Sequence, residues 1–476
     1  MRLLSVGRMR LWSSISILAL AASLGACVPH TELALEPAVL SGSWSQPVST
    51  AEAPVAKQSS SASLADLLRS PELARLTARA LEANPNLRAA QARIDQAMAS
   101  LRIARGAALP LVNVSAGARA SRDAASGPFE FSTSFAAIDA MLSIDVGGGQ
   151  RAVRRAAADR ARATAFDRET LALALSADVA RLFVQRATLN TRIGLLDRSI
   201  ADTTKLQRIL EIRQREGVAT RVDVGLQIIR VRELEAEHNR LDQARDQTRT
   251  ALAVLVGEEA PRFASAPADL GSFYLGSISV PAPSMVIAGR PDVQAAEARI
   301  RAAGGDVAAA RAAFFPRLDL SVSRAAQSTL SVGPLAGIVI GADLLLPIFA
   351  RNRLTGDLEV AGAIQRETVE NYRAVLLQAL ADVEDSISAV GHARERGTIL
   401  TDIEREATMT AGLAQQQYLE GDADLRAAFD AQDLLIRAQD AKAIGIQEQL
   451  EASIALYRST RRTDGLADLN RLAASR

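Results

Sequence analysis

The chain has 476 residues, about 50.5 kDa, with 55 Lys and Arg against 54 Asp and Glu, 48% hydrophobic residues and one cysteine. These proportions exclude a small disulfide-stapled scaffold and a compositionally disordered chain, and the near balance of charge gives no electrostatic basis for nucleic-acid binding. Aromatic residues are scarce at 4% while alanine recurs in almost every charged segment, which favours long helices with small contact residues over an aromatic-rich core.

At the amino terminus Arg2, Arg8 and Arg10 precede an apolar stretch from Leu11 to Leu24, which ends Leu24-Gly25-Ala26-Cys27. This is a positive n-region, a short apolar core and a small-residue cleavage signal, and it falls short of the roughly 20 residues that a membrane-spanning helix needs. Residues 1–26 therefore read as an export signal. The segment resembles a bacterial lipoprotein signal, in which Cys27 becomes the acylated first residue; Val28 stands where an aspartate usually signals inner-membrane retention, so the resemblance points to the outer membrane. The competing reading of Cys27 is a buried free thiol. Residues 27–63, rich in Ser, Pro, Ala and Thr, are expected to form an acylated tether without a packed element.

The rest of the chain repeats itself. Pro85 to Ile94 (PNLRAAQARI) and Pro291 to Ile300 (PDVQAAEARI) match at an offset of 206, and the same offset carries Pro110 onto Pro316, Val112 onto Leu318 and Val114 onto Leu320. Gly217 and Gly421 correspond at an offset of 204, so the halves share an order of elements. The first repeat is placed at 64–257, a Gly-, Pro- and Ala-rich connector at 258–284, the second repeat at 285–457 and a polar tail at 458–476.

Each repeat begins with an amphipathic helix, about Leu64 to Ala107 with an interruption near Pro85 in the first half, and about Met285 to Ala313 in the second. Strands follow at about 109–119 and 131–145, then at about 316–324 and 335–347. Leu318, Leu320 and Val322 alternate with Asp319, Ser321 and Ser323, so one face suits lipid or a core and the other suits water. Four strands are too few to close an aqueous pore. Long helices come next: Arg151 to Arg215 contains no proline and at 1.5 Å per residue reaches roughly 97 Å. A shorter helix follows from about Val222 to Leu255. The second half repeats the pattern at Leu354 to Gly421 and Asp424 to Tyr457, lengths typical of coiled-coil or helical-repeat architecture.

The lipobox, the duplicated helix-Pro-strand segments, the two strand pairs and the long helical hairpins together resemble the outer-membrane efflux protein family, in its TolC-like lipoprotein branch, over about residues 64 to 457. The resemblance implies a mainly α fold with membrane β: a homotrimer in which four strands per protomer build one twelve-stranded barrel, continued by a long periplasmic α-helical barrel. It implies passive export of small-molecule or ion cargo, coupled by a periplasmic adaptor protein to an inner-membrane efflux pump. No cofactor is implied beyond the N-terminal lipid on Cys27.

The resemblance also places residues. Asp430, in Asp430-Ala431-Gln432 after Gly421, falls where the family has an aspartate of the periplasmic constriction; the competing reading is a solvent-facing helix carboxylate. Arg426 and Arg437 lie four before and seven after it, on a side that allows pairing with it or with another protomer. Leu419-Glu420 replaces the Tyr-Arg that often precedes the family glycine, which removes the usual basic gate contact or relocates it to Arg426. Asp223 in Val222-Asp223-Val224 fits a gate contact or a helix-start cap equally. Gly217 and Gly421 fit tight helix breaks or simple C-caps. Pro110, Pro316 and Pro347 are expected at helix-strand junctions. Arg151, Arg351 and Arg353 are candidates for the membrane boundary, against plain solubilising roles.

An enzyme finds little support, because His30, His238 and His392 have no metal-ligand spacing and the acidic groups sit in charged helical faces. The stronger alternative is a periplasmic coiled-coil structural or adaptor lipoprotein, which has no need of duplicated strand pairs.

Overall fold

The computed structural model describes residues 42–45, 63–121, 130–274, 280–329, 333–422 and 424–461. Residues 1–26, Cys27, most of the expected tether and residues 462–476 lie outside them. The elements in chain order are α1 (Leu64–Leu67), α2 (Pro71–Ala83), α3 (Pro85–Gly106), β1 (Leu111–Ser121), β2 (Glu130–Ile144), α4 (Gly149–Arg215) and α5 (Arg221–Val256), followed by α6 (Pro283–Gly289), α7 (Pro291–Ala312), β3 (Arg317–Thr329), β4 (Gly333–Leu345), α8 (Arg351–Glu420) and α9 (Leu425–Thr460). By internal contacts, Ala92–Ala165 and Ala295–Ala374 belong to one compact unit, and the described residues of Val39–Gln91, Phe166–Gln294 and Val375–Arg476 to another.

The first unit holds a four-stranded antiparallel sheet in the order β1-β2-β3-β4. Its central pairing joins the two repeats, from Ile144 opposite Leu318 to Thr133 opposite Thr329. Directly opposed residues share a face, so the register sorts every strand position. Val112, Val114, Ile138, Ala140, Leu142, Leu320, Val322 and Ile340 fall on one face, and Asn113, Ser115, Asp139, Ser143, Asp319, Ser321, Ser323 and Asp343 on the other. Val112, Val114, Ile138, Val322 and Ile340 are exposed in the single chain, and the outer edges of β1 and β4 have no strand beside them within the sheet.

The second unit is helical. Its core gathers Leu68, Leu73 and Leu76 with Phe183, Leu252, Val256 and Leu450, and Phe183 meets Phe273 edge-on at 5.8 Å between ring centres. The helices start where the local chemistry provides caps. Ser63 and Asp66 form a reciprocal capping box at α1, and Ser70 accepts from Leu73 N before Pro71 at α2.

Several boundaries differ from the sequence expectation. The amphipathic segment of the second repeat is two helices, not one from 285 to 313: Pro291 lacks an amide hydrogen and starts α7, leaving α6 separate. β3 runs to Thr329 rather than 324, and β4 covers 333–345 rather than 335–347, because the ladder with β3 is complete from Gly333 to Leu345. Pro347 therefore lies past the strand end. Thr460, not residue 457, ends α9, and Ser459 is buried, so the tail begins later than 458. The tether does contain a packed point: Trp44 Nε1 donates to Pro281 O at 2.9 Å, Trp44 packs against the apolar cluster formed by Val286, Val383, Ile387 and Leu456, and Ser45 N donates to Glu384 Oε1 at 2.9 Å.

Candidate functional site

Polar and charged side chains gather on one face of the sheet and at the breaks between the long helices. On the sheet, Asp319 accepts from Ser143 on β2 and pairs with Arg317 at 3.1 Å, while Asp343 stands opposite it on β4. Pro110 and Pro316 immediately precede β1 and β3, so each strand begins after a residue without an amide donor. Asp145, just past β2, accepts from Gln150 N at 3.1 Å and from Arg151 N at 3.0 Å, holding the first turn of α4. Arg151 also approaches Asp145 at 3.7 Å; Arg353 pairs with Asp357 at 3.1 Å, and Arg351 is exposed.

At the break between α4 and α5, Gly217 adopts φ +79°. Val218 N donates back to Arg213 O at 2.8 Å, a helix C-cap that a left-handed residue permits. Thr220 then opens α5. Its hydroxyl accepts from Asp223 N at 3.2 Å, and Asp223 Oδ2 accepts from Thr220 N at 2.8 Å and from Thr220 Oγ1 at 2.7 Å. The Thr220 hydroxyl and, after it, the Thr220 backbone amide hold the Asp223 carboxyl below the usual carboxylate range. Of the two roles open to Asp223, these bonds describe a capping box.

The second break repeats the first. Gly421 has φ +88°, Asp422 N donates to Gln417 O at 2.9 Å, and Asp424 caps α9 by accepting from Arg426 N at 3.4 Å. Leu210, Val224, Tyr418 and Ala428 form one apolar cluster with Phe429 against it, so the two breaks meet side by side. Arg213 lies 5.1 Å over the Tyr418 ring. Asp430 and Arg426 are exposed, and neither side chain forms an ion pair with another described residue. Arg437 does not pair with Asp430. Its guanidinium holds Asp433 at 2.5 Å, one helical turn away, and Arg230 on α5 reaches the same carboxylate.

Sequence reasoning did not find Asp433, nor the fork from Arg192 on α4 to Asp440 on α9, at 2.5 and 3.0 Å. These two links border a groove of about 220 Å³ lined also by Leu195, Glu233 and Ile436. No local signal marks them, since Arg192 and Asp440 lie 248 residues apart. A second missed group is Arg290, only 8% exposed. It donates to Asp292 at 2.7 Å, to Asp382 at 3.1 Å, and to the carbonyls of Ala379 and Ser459. Among the described residues no group of three or more His, Cys, Asp or Glu side chains is placed to hold a metal ion, and no helix is long and apolar enough to cross a membrane.

The outer membrane efflux protein family matches residues 76–258 and 282–460, one match to each repeat. The chain is 32% identical over 404 residues to the pyoverdine export outer membrane protein OpmQ of Pseudomonas putida, covering 82% of this chain and 86% of that one. It is 29% identical over 405 residues to the toluene efflux pump outer membrane protein TtgF of the same species, covering 82% and 83%. Its fold is shared with the outer-membrane channel OprN, at a TM-score of 0.80 and 22% identity over 92% of this chain and 99% of that one. The outer membrane protein VceC of Vibrio cholerae gives 0.75 and 24% over 82% and 96%. Matched in both repeats and along most of its length, the chain belongs to the outer membrane efflux protein family.

Proposed function

We propose that the protein is the outer-membrane conduit of a bacterial efflux system and works as a homotrimer, with three four-stranded sheets closing one twelve-stranded barrel. The observation that carries this reading is the two-faced sheet with two unpaired edges. An apolar face open to the outside suits lipid, a polar face suits a water-filled lumen, and edges in a bilayer need partners, which β1 and β4 of neighbouring copies provide to each other. The channel is passive, not an enzyme; it receives cargo from an inner-membrane pump through a periplasmic adaptor. Relatives named for pyoverdine export and for toluene efflux support small organic molecules as the cargo class. Acylation at Cys27 anchors the mature chain to the outer membrane, with the helices in the periplasm.

Passage narrows at the helix breaks. Asp430, exposed beside the joint apolar cluster, supplies three carboxylates to the constriction, with Arg426 as the nearby cation, while Asp223 serves that region through its cap. The test is to purify the mature protein, establish its oligomeric state by native mass spectrometry and record currents in planar bilayers. Conducting trimers are expected, and Asp430→Ala trimers are expected to be less cation-selective. Monomers without conductance would instead favour the coiled-coil lipoprotein reading, and equal selectivity of the two trimers would remove Asp430 from the constriction.

A further inference from the structure

The apolar face of the sheet is built in rows, and one row breaks the pattern. From the helix-connected ends of the strands outward, the rows read Ile144, Leu318, Leu344; then Leu142, Leu320, Ala342; then Val112, Ala140, Val322, Ile340. The next is Val114, Ile138, Arg324, Ile338, and beyond it stand four alanines, Ala116, Ala136, Ala326 and Ala336. Arg324 is the sole charged residue in these five rows. It is exposed and forms no ion pair with another described residue.

A guanidinium on a lipid-facing surface is tolerated near an interface and not at the bilayer midplane. The rows place Arg324 at such an edge. Ile338, in its row, is seven residues from Leu345, where β4 ends, and past that end Ile348 and Phe349 are exposed. At about 3.3 Å per residue and a tilt of about 45°, the seven strand residues rise about 16 Å, and the exposed apolar residues past the strand end continue the belt toward the roughly 25 Å of an outer-membrane apolar band. The bulky belt ends in the Arg324 row. The alanine row above it presents only methyl groups, which leave a long side chain room to extend toward the headgroups.

On the channel reading, on which this inference rests, the helix-connected ends are periplasmic and the alanine row lies on the outer-leaflet side. We infer that Arg324, repeated three times around the barrel, is a binding site for a phosphorylated lipid headgroup of the outer leaflet. Its flat five-donor guanidinium matches phosphate oxygens in pairs, and the neighbouring Ile138 and Ile338 provide the apolar wall along which an acyl chain lies.

The experiment uses mature trimers reconstituted in phosphatidylcholine nanodiscs doped with diphosphoryl lipid A or with its dephosphorylated form. Lipid retained on the trimer is counted by native mass spectrometry, and conductance is recorded from the same preparation. Wild-type trimers are expected to retain the phosphorylated form roughly fivefold over the dephosphorylated one, a preference that weakens with salt. Arg324→Gln should abolish the preference, and Arg324→Lys should keep part of it. Conducting wild-type trimers without the preference, or Arg324→Gln trimers that keep it, would overturn the inference and leave the channel reading intact. Absence of conducting wild-type trimers would overturn both.

Discussion

Asn84 and Arg290 occupy equivalent places 206 residues apart, each the last residue before a proline that starts a helix. Both are buried, and each solves the junction in its own way. Asn84 Oδ1 accepts from Asn86 N at 2.9 Å and its Nδ2 donates to Leu255 O at 2.9 Å, a neutral junction. Arg290 brings a charge into the same kind of place. Burial pulls its pKa down, and the carboxylates of Asp292 and Asp382 more than offset this, leaving it raised. Arg290→Ala would take the guanidinium from two carboxylates and two carbonyls, leaving Asp382 with Gln378 and Asp292 with the Val293 amide as donors. Both carboxylates keep 29% of their surface exposed, so the cost should sit near the low end for a broken buried pair, about 3 kcal/mol, measurable by urea unfolding. Asp223 allows a pH prediction. Its carboxyl is depressed below the ordinary 3.8, so the capping contribution is fully present above that value and is lost as the pH falls through the lower folded-state value. Protection of the first-turn amides of α5, taken as their exchange rate relative to an unstructured chain at the same pH, should fall below about pH 4 in the wild type. In Asp223→Asn that fall should vanish.

At the scale of elements, three of the four long helices, α4, α5 and α8, end at glycines whose surroundings differ. Gly217 and Gly421 hold left-handed conformations with open space where a Cβ would stand, whereas at Gly257, φ +77°, a Cβ would come within 2.6 Å of Ala83 O. Gly217→Ala should therefore cost about 1 kcal/mol, the left-handed penalty alone. Gly257→Ala should cost more, because backbone must move as well, and comparing the two melting temperatures checks the order. The sequence made the first two glycines visible through their repeated placement, and it made Asp223 visible as a neighbour of a break, while its partner Thr220 went unread. Gly257 merged into a connector rich in small residues. Strand alternation could be read from Leu318 to Ser323, since a period of two is local. What joins distant segments was not legible: the β2–β3 register, Arg230 with Asp433, and Trp44 against Val286 and Leu456 all depend on contacts between residues far apart in the chain. Trp44 in particular stood alone among Ser, Pro and Ala, where no periodicity announces a contact.

For the whole molecule, the two faces of the sheet make opposite demands on the same few residues, and adjacent positions on β3 separate them. Val322 lies in the middle apolar row, flanked by Ala140 and Ile340, while Ser321 lies on the polar face between Met141 and Gly341. If the apolar face meets lipid in a closed trimer, Val322→Arg puts a guanidinium inside the apolar band, two residues deeper than Arg324. It should destabilise the inserted protein by about 1–2 kcal/mol, between the interfacial and midplane costs, as read from urea unfolding in lipid vesicles. Ser321→Arg adds the same charge one residue away, where water hydrates it. Insertion and trimer stability should be unchanged, and the three added cations should shift the open channel toward anions in bilayer recordings. A soluble coiled-coil lipoprotein makes a different forecast: with water on both faces, neither arginine would cost more than the other, and no current would respond to either. The pair of variants thus distinguishes membrane insertion from surface exposure without depending on where the constriction lies.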